Sequence, residues 1–246
     1  MIFSRSVEIK EIRKLSENYV IEREDLIFTI NKGSYVVLFS KLDYILGFIG
    51  KYDYFYKIKL DLPFGSFSKD VTGSGSGIGI LASKKIGFKE DVVRISETLS
   101  EIPEELRKDI KSCKKDTEEF LKTSKVDSGL IIRTNEFKAI VGKRSVVLKA
   151  PDTKVVKSFT GNYVLKTKSL KLTYSPPSNL VFKSENGFKA VISGNDIVAN
   201  KVVISNRSLV KPGLVAKSED LVMKEKTKIF EQISKILQQD GFHEET

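Results

Sequence analysis

The alternation of apolar and polar residues predicts strand along most of the chain. From Tyr52 to Leu62, the residues Tyr52, Tyr54, Tyr56, Ile58, Leu60 and Leu62 share one face, and Asp53, Lys57, Lys59 and Asp61 share the other. That is a strand with one buried and one wet side. Leu26–Ile30 and Tyr35–Phe39 flank Asn31-Lys32-Gly33, a hairpin signal. Between Gly129 and Ala216, many short strands alternate with turn signals. Asn186-Gly187 predicts a two-residue turn, because both residues tolerate positive φ. Such a turn sets Phe182 opposite Val191, Val181 opposite Ile192, Lys183 opposite Ala190 and Ser184 opposite Lys189. The hairpin's base is then buried on both faces and its tip is wet. Tyr163 and Leu165 are odd-numbered, whereas Leu170, Leu172 and Tyr174 are even, so a bulge or tight turn is expected at Thr167 to Ser169.

Two segments repeat at helical spacing instead. Near 103–123, Leu106, Ile110, Cys113, Thr117, Phe120 and Leu121 form one stripe, with Pro103, Glu104 and Glu105 at the start and Lys122 at the end. Near 218–239, Leu221, Val222, Ile229, Phe230, Ile233, Ile236 and Leu237 form another. Ser218 suits its N-cap and Gly241 its stop. The predicted class is therefore α+β and β-dominated: antiparallel sheets in sandwich- or barrel-like units, each followed by a covering helix. The expected division is 1–127, a β-rich unit plus helix, and 128–246, a basic β-rich unit plus the C-terminal helix, with a boundary at Lys125 to Gly129. A single domain is the alternative. The halves are similar in length and element order, but no residue-level repeat supports a duplication.

Composition narrows the chemistry. One His, one Cys and no Trp among 246 residues leave little material for a His-based triad, a Cys-His dyad or a zinc site. No catalytic residue, metal ligand or cofactor is assigned on these grounds. Cys113 falls on the apolar stripe of the first helix and reads as core, and His243 reads as part of a disordered polar tail. No stretch is long and apolar enough for a membrane span, and the first residues lack the apolar region of a secretory signal. A cytoplasmic protein is expected. Few Gln and Met beside many Lys, Ile, Val and Glu lean toward a thermophile.

Charge changes the picture most. The net charge of +10 is uneven. Residues 1–127 hold 22 basic and 21 acidic side chains, residues 128–217 hold 16 and 4, and residues 218–246 hold 4 and 7. The excess belongs to the second β region, and a field so concentrated attracts polyanions. Lys143, Arg144, Lys166, Lys168 and Lys171 are the candidate contacts, with nucleic acid the first partner considered. Of the rings in this region, alternation makes most core.

The run Gly73-Ser74-Gly75-Ser76-Gly77-Ile78-Gly79 is read as a flexible loop leading into a strand. Backbone N–H groups of Gly73, Gly75 and Gly77 could cradle an anion there. It lacks the Gly-Lys-Ser/Thr of a Walker loop and the third Gly of the dinucleotide fingerprint. Asp127 followed by Glu136-Phe137-Lys138 on an expected strand resembles the metal-binding core of the PD-(D/E)xK nucleases over about a dozen residues. The resemblance implies two carboxylates holding Mg²⁺ and a Lys positioning the attacking water. The family has a helix soon after that strand, whereas strands follow here.

The sequence thus points to a non-catalytic binding or scaffold protein with a basic β surface. The alternatives are an assembly protein that oligomerises through sheet edges or its C-terminal helix, and a metal-dependent nuclease.

Overall fold

The computed structural model describes residues 8–40, 45–84, 103–123 and 129–245. Antiparallel strands dominate these residues, with two helices. Two compact units emerge: residues 1–56 with 72–151, and residues 57–71 with 152–246.

In the first unit, β1 (Glu8–Lys14) and β2 (Tyr19–Arg23) precede β3 (Leu26–Ile30) and β4 (Tyr35–Ser40). The long strands β5 (Ile45–Leu62) and β6 (Gly65–Lys84) contribute to both units. The expected hairpin at Asn31-Lys32-Gly33 does not form. β3 and β4 both run antiparallel to β5, β4 along Leu46–Ile49 and β3 along Tyr52–Tyr56. Residues 31–34 therefore bulge out of one nearly continuous strand. The side chain of Ser34 replaces the missing ladder: its Oγ accepts from Lys51 N–H at 3.1 Å and donates to Lys51 O at 3.3 Å. This close approach needs Gly50, where a Cβ would fall 2.2 Å from Ser34 Oγ.

The Gly-rich run is strand, not loop: all of it lies inside β6. Its glycines leave room for rings. A Cβ at Gly73 would sit 2.2 Å from the Tyr54 hydroxyl, at Gly75 2.3 Å from that of Tyr52, and at Gly79 2.1 Å from the Phe48 ring. Small residues here let aromatic side chains lie flat against the backbone. The rings continue into a stack of Phe28, Tyr52, Tyr54 and Phe137.

Helix α1 (Glu104–Thr123) buries Ile110, Cys113, Thr117 and Phe120, the centre of its expected stripe. Cys113 packs with Ile12, Val37, Phe39 and Ile49. Its Sγ occupies the space a side chain at Gly47 would fill, 2.2 Å from that Cβ position. Burial pushes the Cys113 thiol up to about 12, with Asp116 adding to the rise against a hydrogen bond from Thr117. Only the thiolate reacts readily. A thiol reagent at neutral pH is therefore expected to leave the native protein unmodified and to label one Cys after denaturation. Fast native labelling would show that α1 does not dock as described.

The unit closes with β7 (Gly129–Arg133), β8 (Lys138–Val141) and β9 (Ser145–Ala150), which pair in sequence.

The second unit is a meander. β10 (Thr153–Ser158), β11 (Tyr163–Lys166), β12 (Leu170–Ser175), β13 (Asn179–Ser184), β14 (Lys189–Ser193), β15 (Asp196–Ala199), β16 (Val202–Ser205), β17 (Ser208–Lys211) and β18 (Leu214–Ala216) each pair with the next. The phase change at Thr167 to Ser169 is a tight turn, closed by Thr167 N–H donating to Leu170 O at 2.9 Å. One face of the meander is buried, including Val155, Leu165, Leu172, Phe182, Ala190 and Ile197.

Helix α2 (Glu219–Gln239) starts at Ser218, whose side chain accepts from Leu221 N–H. It ends in a Schellman motif. Gly241 N–H donates to Gln238 O and Phe242 N–H to Leu237 O, both at 3.0 Å, with Gly241 at φ +87°. Val222, Ile229, Ile233, Ile236 and Leu237 form its buried stripe, and Phe230 stacks on Phe64 at 4.8 Å. Glu225 accepts from Lys211 of β17 at 2.9 Å, and that bond holds its carboxyl below the usual range.

Residues 240–245 continue from α2 in defined structure. β19 (His243–Glu245) pairs with Ser66–Ser68 of β6, so His243 stands exposed on a short strand and not in a disordered tail. The pairing follows from the anchoring of Phe242, 1% exposed, directly before it. No helix among the described residues is long and apolar enough to cross a membrane.

Candidate binding face on the meander

The register of the meander decides what its outer face carries. Asn186-Gly187 does make a turn, but with three residues between the partners Ser184 and Phe188. Gly187 is in the left-handed region at φ +89°, and Ser184 N–H donates to Phe188 O at 2.9 Å. The pairing therefore differs by one residue from the expected one. Val181 faces Val191, Phe182 faces Ala190 and Lys183 faces Lys189. Leu180, Phe182, Ala190 and Ile192 are buried on one side, whereas Val181 and Val191 are 38% and 44% exposed on the other. The hairpin has one buried face, not two.

This register extends across the neighbouring strands and sorts the outer face into rows. Near one border, Lys154 faces Lys166, Lys166 faces Lys171, Lys171 faces Lys183 and Lys183 faces Lys189. All five lysines are exposed. None makes an ion pair with a described residue. Along the middle, a β-branched residue stands opposite another in every strand: Val156, Val164, Thr173, Val181 and Val191 through β14, then Val198, Val203, Val210 and Val215 through β18. Near the far border, Ser175 faces Asn179, Asn179 faces Ser193 and Ser193 faces Asp196.

Like charges directly opposite each other weaken a sheet by some tenths of a kcal/mol per pair. Four such contacts in line are a cost that packing does not require, because the positions are solvent-facing. Neighbouring strands lie about 4.8 Å apart, so the five ammonium groups stem from a line of roughly 19 Å.

Lys166 and Lys171, two of the five candidates from sequence, stand opposite each other in this row. Lys168 sits in the tight turn beside it, 2.9 Å from Asp152. Lys143 and Arg144 lie exposed in the turn between β8 and β9, in the other unit. That unit has its own shorter row, with Arg133 facing Lys138 and Lys138 facing Lys149. Lys154, Lys183 and Lys189 are legible in the sequence only as part of the basic region.

The rings do not join the row. Phe137, Tyr163, Phe182 and Phe188 are buried, and Phe159, 86% exposed, stands in the turn between β10 and β11. Glu136 is in the turn between β7 and β8, not on a strand, and Asp127 lies outside the described residues. The chain turns there because Thr134 caps it: its Oγ1 accepts from Phe137 N–H at 2.9 Å. No group of three or more His, Cys, Asp or Glu side chains converges among the described residues.

Comparison with family models, with curated proteins and with solved structures gives no match.

Proposed function

We propose that this protein binds an extended polyanion, nucleic acid in the first instance, along the lysine row of β10–β14. The carrying observation is the row itself: five exposed lysines paired directly with one another, without an acidic partner among the described residues. Each lysine alone is an ordinary surface residue. Their alignment is a property of the register, and it gives a line of positive charge with a fixed pitch.

The pitch suits a phosphate backbone. A nucleic-acid strand carries a charge about every 3.4 Å along a duplex axis, so roughly 19 Å of lysines spans five or six phosphates. The contact is to the backbone, because the row offers no aromatic platform and no base-reading side chain such as Arg or Asn. Sequence preference is therefore expected to be weak.

Titration of a labelled single-stranded oligonucleotide at low salt tests the reading. Saturable binding, displaced equally by unrelated sequences, is expected. No binding at low ionic strength would end the proposal.

A further inference from the structure

We infer that the valine row seats a second copy of this chain, so that two outer faces pack into a β-sandwich. The inference rests on the exposed apolar residues and not on the lysines, but it uses the same outer face, so a second copy and a bound polyanion compete for it. Val181, Val191, Val198, Val203 and Val210 are each 37–45% exposed and Val215 is 76% exposed, and each faces the next across the strands. Scattered surface valines need no explanation, but a contiguous line of them marks a contact surface.

The size fits a dimer. Nine strands at about 4.8 Å give a row of roughly 38 Å, and five residues of strand give a depth of about 17 Å. Each copy thus offers on the order of 650 Å², near the roughly 800 Å² per partner of stable interfaces.

The edge strands β18 and β1 are poorer candidates. β18 is three residues long, preceded by Pro212 and followed by Lys217, and β1 alternates Glu, Lys and Arg with isoleucines. Both are features that discourage edge pairing.

The polar borders choose the symmetry. A two-fold axis along the valine row lays the lysine border of one copy over the Ser175, Asn179 and Ser193 border of the other, with Asp196 opposite the end that carries Lys201. An axis along the strands lays basic border on basic border. Both keep the strands of the two copies nearly aligned, as packed sheets prefer, and only the first avoids that repulsion. The lysine row is covered in this arrangement, so dimer formation and polyanion binding exclude each other.

Mass measurement in solution at high salt, where polyanion contacts are screened, tests the inference. The expected mass at tens of micromolar is twice the 27.7 kDa of the chain. Val198→Asp is expected to give a monomer with an unchanged circular dichroism spectrum, and the milder Val198→Thr a dimer about tenfold weaker. Val210→Cys should be joined to its own copy by a bis-maleimide of about 8–10 Å reach, because the row axis brings this position to itself across sheets about 10 Å apart. The strand axis would set the two positions roughly 29 Å apart. A wild-type monomer, a dimer untouched by Val198→Asp, or no cross-link at Val210→Cys in a dimeric protein would each overturn it.

Discussion

Replacing Lys166 and Lys183 together by Glu is expected to make the protein more stable and to abolish most of the polyanion binding proposed for it. The charges along the row would then alternate, because positions 166 and 183 turn negative between the retained Lys154, Lys171 and Lys189. Four repulsive neighbours become four attractive ones. At a few tenths of a kcal/mol per pair, stability should rise by about 1–2 kcal/mol. Binding changes in the opposite sense. Two reversals alter the charge facing the ligand by four units, and at roughly 0.7 kcal/mol each the loss is about 3 kcal/mol, or a hundredfold in Kd. A merely structural surface would show the first effect and nothing to lose by the second. Thermal melts and oligonucleotide titrations on the same sample check both.

The second large effect is expected at Asp240. This residue caps the C-terminal end of α2, where the helix dipole disfavours negative charge. Lys69 of β6 offsets it, donating to the backbone carbonyl of Asp240 and to its Oδ2, the latter at 3.1 Å. The other carboxylate oxygen accepts from Thr167 at 3.0 Å and from Ser169, both in the tight turn between β11 and β12. One side chain, 8% exposed, thereby ties α2, β6 and the meander together. Asp240→Ala leaves Lys69 and two hydroxyls without that partner. Removing one member of a buried pair costs about 3–5 kcal/mol; Lys69 is 21% exposed, so the lower end, about 3 kcal/mol, is expected here. Asp240→Asn keeps the acceptor for Thr167 and Ser169 and should recover about half of that loss. Chemical denaturation of the three proteins measures it, and equal stability of Asp240→Ala and wild type would contradict the anchoring.

The helices are legible in the sequence because their signals are local. Ile110, Cys113, Thr117 and Phe120 repeat at helical spacing, Ser218 offers a cap oxygen, and Gly241 can adopt the positive φ that ends α2. The alternation from Tyr52 to Leu62 is legible for the same reason. The failures share one cause: strand pairing is not local. Asn31-Lys32-Gly33 has hairpin chemistry, yet β3 and β4 gain more by lying end to end on β5, with Ser34 and Gly50 fitting together where the ladder breaks. The glycines of β6 suggest a loop until the rings of Phe48, Tyr52 and Tyr54 are placed over them.

At Asn186-Gly187 the turn itself is legible, and one residue of register is not. That residue decides the candidate site. With two turn residues, Lys183 would face Ala190 and no row would exist there; with three, Lys183 faces Lys189. The charge of region 128–217 can be counted from the sequence, but its alignment cannot.

The salt dependence of oligonucleotide binding tests the lysine row most directly. Each phosphate neutralised on a single strand contributes about −0.7 to the slope of log K against log salt concentration, so five lysines acting together predict a slope near −3.5. Removing one, as in Lys171→Ala, should bring it to about −2.8. A slope near zero, or one that Lys171→Ala leaves unchanged, would contradict the row as the binding site.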